Sequence, residues 1–191
     1  KSNDWLLING VSSGVGVASF QMGKVLGAKV IGTSGSQTKL NQLKPLGLDL
    51  GICSRSADFY ATVMSTTEGK GVQLVVNTVG GSVFEESFKC LSFQGRLGTV
   101  GYVDGVLHAP LDIEALHAKR LTLFGVSNKM RTPDQRAEPV IGFIKDILPA
   151  FAEAKIRACI DSVFEFKDLE SAKARMESNS HVGKIVLKVI S

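Results

Sequence analysis

The sequence predicts an α/β fold built on a doubly wound, six-stranded parallel sheet. Three observations predict it. Short apolar runs recur over the first two thirds of the chain, each ending in small or polar residues. Stretches with helical spacing separate them, as right-handed crossovers between parallel strands require. The first run passes straight into a glycine turn and a helix, in Asp4 to Leu26, DWLLINGVSSGVGVASFQMGKVL.

In that stretch Trp5-Leu6-Leu7-Ile8 suits a strand covered on both faces. Gly10 to Gly16 forms the turn. Ala18, Met22 and Val25 recur at helical spacing, and Gly27 stands where a C-cap glycine belongs. Such a turn aims backbone N–H groups, at the positive end of a helix dipole, above the strand. Diphosphate is the usual occupant there. Gly14 and Gly16, with Ser13 before them and Val15 between them, leave room for backbone to approach a phosphate. Taken alone, an ordinary tight connection would read the same way.

Ala28–Thr33 reads as the second strand and Gln37–Leu46 as a helix, with Leu40 and Leu43 inward and Pro45 near its end. Leu50–Cys53 is the third strand. Asp58–Thr67 is a helix closed by Glu68-Gly69. Val72–Asn77 is the fourth strand, Val83–Leu91 a helix, Gly95–Val100 the fifth strand and Leu121–Gly125 the sixth. Thr132, Pro133 and Gln135 mark a helix start with a capping box. Pro139 and Pro149 lie further in, and a break is expected at one of them, Pro149 in preference. Beyond Arg157 the pattern changes. Ile160–Phe166 reads as a strand, Asp168 caps a helix through Met176, and Ile185–Ile190 is a strand. These last two strands have no place in a six-stranded parallel sheet.

The composition suits one good-sized domain with an appendage: 191 residues, 44% hydrophobic and 21% charged. A net charge of +4 favours anionic ligands in a general way. No basic arm is present, so nucleic acid is not indicated. Three well-separated cysteines form neither a metal motif nor a disulfide framework, which fits a reducing, cytoplasmic setting. No signal peptide, membrane span or lipidation motif is seen, so no membrane is expected. Almost nothing precedes the first strand, as expected of a piece of a longer protein.

Ligands of open parallel sheets sit beyond the carboxyl ends of the strands. After the second strand come Ser34-Gly35-Ser36 and then Lys39. An NAD-preferring fold presents Asp or Glu there to the ribose hydroxyls. The acid is missing, and small hydroxyls with a lysine suit a 2′-phosphate. The lesser reading of Lys39 is a solvated helix residue. After the third strand lie Ser54 and Arg55, beside an adenine or its 2′-phosphate, or simply on a surface loop. Asn77, Val79 and Gly80 follow the fourth strand, and Gly101 and Tyr102 the fifth. Phe124, Gly125 and Val126 close the sixth. These three loops are where a nicotinamide half would lie. Lys184 precedes the last strand and points either into the cleft or to solvent.

Catalytic constellations are scarce. His108, His117 and His181 are isolated, and no metal cluster, nucleophile elbow or carboxylate pair stands out. No residue is assigned as a general acid. A short-chain dehydrogenase would need a tyrosine with a lysine four residues on. Tyr60 is followed by Met64 and Tyr102 by Val106, which counts against it.

The stretches LLINGVSSGVG, GAKVIGTSGSQTKL, GKGVQLVVNTVGG, GRLGTVGY, KRLTLFGVS and MESNSHVGKIVLKV span nearly the whole chain. In this order they resemble the zinc-independent quinone oxidoreductases of the medium-chain dehydrogenase/reductase superfamily. The resemblance implies a Rossmann domain over residues 1–128, a helical segment packing on it over 129–158, and a return segment over 159–191. That return segment would complete an N-terminal catalytic domain outside this sequence, leaving its strands without partners here. It also implies NADPH, hydride transfer to a small-molecule electron acceptor, and a homodimer through the sixth strand, Leu121–Gly125. The chain alone would bind cofactor without turnover.

There are departures. A Gly-x-Gly-x-x-Gly fingerprint would fall on Val11, Ser13 and Gly16, and only the last is glycine. A tyrosine common after strand three is replaced by Ser54. The SRSADF segment resembles enoyl reductase modules of polyketide synthases, which leaves quinone and enoyl substrates both open. A non-catalytic NADPH-binding module is the reading of a different class.

Overall fold

The chain forms the expected doubly wound sheet in a computed structural model that describes residues 2–189. Six parallel strands lie in the order β3-β2-β1-β4-β5-β6. They are β1 (Trp5–Asn9), β2 (Lys29–Ser34), β3 (Leu50–Cys53), β4 (Val72–Asn77), β5 (Leu91–Thr99) and β6 (Thr122–Gly125). The order reverses between β1 and β4, and that switch point is where a crevice opens in such sheets.

Alternation along β1 builds the core on both faces. Leu6 and Ile8 pack with Val17 and Phe20 of α1 (Gly14–Val25) and with Leu40 and Leu43 of α2 (Gln37–Leu43). Leu7 faces the other way, onto Val63 of α3 (Tyr60–Thr66) and Phe88 of α4 (Phe84–Lys89). The sheet-facing side of α1 is therefore Val17 and Phe20, whereas the helical spacing is read from Ala18, Met22 and Val25. Ala18 is exposed, while Met22 and Val25 meet Ile147, Ala150 and Ile156 of the later chain. Helical spacing registered this second, smaller contact.

Three other expectations change. The helix read over Val83–Leu91 ends at Lys89, and β5 starts at Leu91 instead of Gly95. Its pairing with β4 jumps from Val72↔Leu91 to Leu74↔Arg96, a bulge in which Gln94 takes φ 58°. A short helix, α5 (Ile113–Ala118), capped by the Asp112 side chain, precedes β6 and was not expected. The helix beyond β3 starts at Tyr60 instead of Asp58.

Thr132 begins α6 (Pro133–Asp146) with the full capping box: Gln135 N–H donates to its Oγ1, and Gln135 Oε1 accepts from its N–H. Pro139 sits inside α6 without ending it. The Gln135 carbonyl, deprived of its usual donor, accepts from the Arg131 guanidinium. The break falls at Ile147, and Pro149 sits in the first turn of α7 (Leu148–Ala152).

Beyond Arg157 come β7 (Ile160–Glu165), α8 (Leu169–Glu177) and β8 (Lys184–Lys188). Phe166 has left the strand, and Ile190 lies outside the described residues. Asp168 occupies the N-cap of α8 but its side chain caps nothing. The two strands are not without partners: they pair with each other in parallel. This unit docks on the main sheet. Gln21 and Arg157 exchange two hydrogen bonds, Nε2–H to the Arg157 carbonyl at 3.0 Å and Arg157 N–H to Oε1 at 2.9 Å. Val182 enters the core beside Val11 and Val17.

Candidate functional site

A cleft of about 850 Å³ lies above the carboxyl ends of β1, β2 and β4, within the range of ligand sites. Its floor is the turn from β1 into α1. Gly10 takes φ +72°, and Ser13 caps α1 by accepting from Gly16 N–H at 3.0 Å. Val17 N–H donates to the Ser13 carbonyl. Gly14 and Val15 line the cleft, and among the described residues their N–H groups meet no acceptor. Such groups at a helix start attract anions.

Gly16 lies beneath this surface instead of on it. A methyl there would stand 2.3 Å from the Gly10 carbonyl oxygen, so its glycine serves the packing of helix on turn. Gly14 is different: a methyl there would meet only the Lys184 side chain, at 2.7 Å from Cε and 2.8 Å from Nζ. Lys184 thus lies over the start of α1. Among the described residues no ion pair or hydrogen bond engages its ammonium. The lysine charge and the positive end of α1 thus lie side by side at the cleft floor.

At the end of β2, Ser34 is buried, its hydroxyl 3.2 Å from that of Ser12. Gly35 and Ser36 follow, and Ser36 caps α2 through Lys39 N–H. Lys39 is a half-buried latch and not a freely solvated residue. Its ammonium donates to the Asn179 carbonyl at 2.5 Å and to Asn179 Oδ1 at 3.2 Å. Burial lowers its pKa, the Arg175 and Arg55 charges lower it further, and Asp161 opposes them. Arg55 crosses over Gly35 and donates from Nε to its carbonyl at 3.2 Å. Ser54 lines the same wall, and its hydroxyl bonds within its own loop, to the Ser56 carbonyl and Asp58.

Asn77 is buried and organises the loop above β4. Its Oδ1 accepts from Val79 N–H and Gly80 N–H at 3.0 Å each, and its Nδ2–H donates to the Gly80 carbonyl. Gly80, at φ +132°, leaves space for Asp104, whose carboxylate a methyl would strike. Neither residue lines the cleft, whereas Val79 and Gly101 do. Tyr102, Gly125 and Val126 line a second, shallower recess of about 530 Å³ beside β5 and β6. Phe124 lies outside both, its ring over Gly98.

The C-terminal unit closes the fourth side with Asn179, His181, Gly183 and Lys184. Gly183 N–H donates to the Ser12 carbonyl at 3.0 Å, bridging this arm to the glycine turn. Sequence reasoning found Lys184 and set aside His181, whose Nδ1 is buried without a hydrogen-bond partner. Thr33, Thr78 and Ser82, also in the wall, were missed. The signal for the polar residues was their position at strand ends. For Asn179 and His181 it was only nearness to Lys184.

Among the described residues no group of three His, Cys, Asp or Glu is placed to hold a metal. No helix among them is long and apolar enough to cross a membrane.

The sequence profile of the zinc-binding dehydrogenase family matches residues 14–146. Polyketide synthase 37 of Dictyostelium discoideum is 31% identical over 191 residues, covering 98% of this chain and 6% of that protein. The crystal structure of CurK enoyl reductase is 27% identical with a TM-score of 0.79, covering 98% of this chain and 55% of that one. The structure of mycobacterial Rv1454c complexed with NADPH is 26% identical with a TM-score of 0.82, covering 99% and 58%. The chain thus spans a little over half of these two structures and a small part of the synthase. With the profile, the strand order and the cleft in agreement, the chain belongs to the zinc-binding dehydrogenase family, in the medium-chain dehydrogenase/reductase superfamily that also holds zinc-independent quinone oxidoreductases and enoyl reductases.

Proposed function

We propose that this chain is the NADPH-binding part of a reductase that delivers hydride to a conjugated acceptor, either a quinone or an α,β-unsaturated carbonyl. The observation that carries the reading is the cationic junction over α1: two unmatched N–H groups below and an unmatched lysine above. Bound NADPH would supply the hydride, with the protein orienting it and excluding water. Gly14, Val15 and Lys184 hold the bridging phosphates. Ser36, Lys39 and Arg55 take the 2′-phosphate, and the missing acid at Ser34 removes its repulsion. Val79, Gly101 and the recess at Tyr102 and Val126 receive the nicotinamide half. The NADPH bound to the mycobacterial neighbour supports this cofactor.

The acceptor is drawn from both branches. The polyketide synthase relatives, CurK and the SRSADF segment favour an enoyl thioester; the broader motif set favours a quinone. Residues 1–128 would form the dinucleotide unit, 129–158 its helical flank, and 159–191 the segment that completes a substrate domain. The exposed edge of β6 would pair with that of a second copy about a two-fold axis. Light scattering at micromolar concentration is expected to give a dimer, and a monomer would count against the β6 pairing.

The test is NADPH oxidation by the full-length protein with a quinone and, separately, with an enoyl thioester. Turnover with one is expected. Cofactor binding without turnover with either would leave a binding module. NADPH should bind at least about tenfold ahead of NADH, since one charge-assisted contact is worth roughly 1.5–3 kcal/mol. Equal affinities would remove the 2′-phosphate assignment.

A further inference from the structure

We propose that Asp161 and Arg175 are positioning residues for the cofactor cleft, their ion pair holding residues 179–184 over the glycine turn. The proposal rests on the dinucleotide reading of that cleft. Neither side chain lines the cleft, so each acts through the arm.

The geometry is a fork. Arg175 Nε–H donates to Asp161 Oδ2 at 2.9 Å and Nη2–H to Oδ1 at 2.9 Å. The Asp161 side chain is only 10% exposed. Each partner also grips the arm. Arg175 Nη1–H donates to Ser180 Oγ at 2.7 Å, and Val182 N–H donates to Asp161 Oδ1 at 3.1 Å. Residues 180 and 182 are thus tied back to the pair, while His181 between them and Lys184 beyond them reach the cleft wall.

On its far side the arm is held by backbone. Gly183 N–H bonds the Ser12 carbonyl at 3.0 Å, and Lys184 N–H bonds the Cys159 carbonyl at 2.9 Å. Gly183 takes φ +79°, and a methyl there would lie 2.2 Å from the Cys159 carbonyl oxygen. The arm therefore runs between β7 and the turn with Lys39 holding its start at Asn179 and the ion pair fixing residues 180 and 182. The Arg175 guanidinium holds the Asp161 carboxyl down at about 2, so the pair stays ionised at neutral pH.

A mere staple between β7 and α8 would use the same contacts, so the test reads coupling to Lys184. Titrate NADPH and NADH into full-length parent protein, Asp161→Asn, Lys184→Met and the double variant. Asp161→Asn is expected to weaken both dinucleotides by the same factor, about three- to tenfold. In the Lys184→Met background the same change should cost less than about twofold, because its route to the phosphates is gone. Arg175→Lys keeps the charge without the fork and should fall between parent and Asp161→Asn. Should Asp161→Asn fail to fold, Arg175→Gln replaces it in the cycle, leaving the Val182 bond in place. Equal losses in both backgrounds, or unchanged affinity in a folded variant, overturn the proposal alone. Parent protein that binds neither dinucleotide overturns the cleft reading and the proposal with it.

Discussion

Gly16→Ala is expected to lower the melting temperature by roughly 4–12 °C, from an overpacking cost of about 2–3 kcal/mol. The new methyl would lie 2.3 Å from the Gly10 carbonyl oxygen and 2.7 Å from Val11 Cα and C. All three are backbone, so no side chain can swing aside. Relief requires α1 to back away from the turn. That draws Val17 and Phe20 out of the cluster they share with Leu6, Ile8 and Val30. Gly14→Ala, two residues earlier, has the opposite signature. Its methyl meets only the far end of the Lys184 side chain, whose rotatable stem can give way. Stability should hold while dinucleotide affinity falls, because the displaced ammonium no longer faces the phosphates. Thermal melts and cofactor titrations of both variants check the pair. Equal melting temperatures for Gly16→Ala and parent would mean that the turn is looser than its contacts imply.

That contrast also shows what local sequence can carry. The strand, the turn and the helix start were legible because their causes lie within a few residues: an apolar run, glycines, a serine cap. The same holds for Thr132, Pro133 and Gln135 at α6. The start of β5 was not legible. The strand reads as starting at Gly95, and that glycine in fact follows a bulge inside a longer strand held by β4. The sheet-facing side of α1 was not legible either, because the helix touches two bodies and one periodic pattern cannot separate them. The fourth wall of the cleft depends on contacts far apart in the chain, such as Gln21 with Arg157 and Lys39 with Asn179, 136 and 140 residues apart. No periodicity encodes those. Lys184 was nonetheless visible as a cation beside a glycine, and the turn it covers carries its own local signal.

Lys184→Met is expected to weaken NADPH and NADH alike, by at least about tenfold, the worth of one charge-assisted contact. Methionine keeps an unbranched apolar stem against Gly14, so packing is largely retained and the charge is what is lost. In the ligand-free protein that charge faces the positive end of α1, an opposition worth about 0.3–1 kcal/mol. Its removal should leave the melting temperature unchanged or slightly raised. A bound diphosphate reverses the sign, since it is attracted from both sides at once. Binding should therefore fall while stability does not, a combination that a damaged fold cannot produce. The salt dependence of affinity should flatten as well, because one screened attraction has gone. Lys39→Met offers the internal comparison. On the proposed 2′-phosphate assignment it should weaken NADPH more than NADH, any loss common to both coming from its bonds to Asn179. If Lys184→Met bound both cofactors as tightly as the parent, the phosphates would have to lie elsewhere, and the unmatched charge over α1 would be left without an occupant.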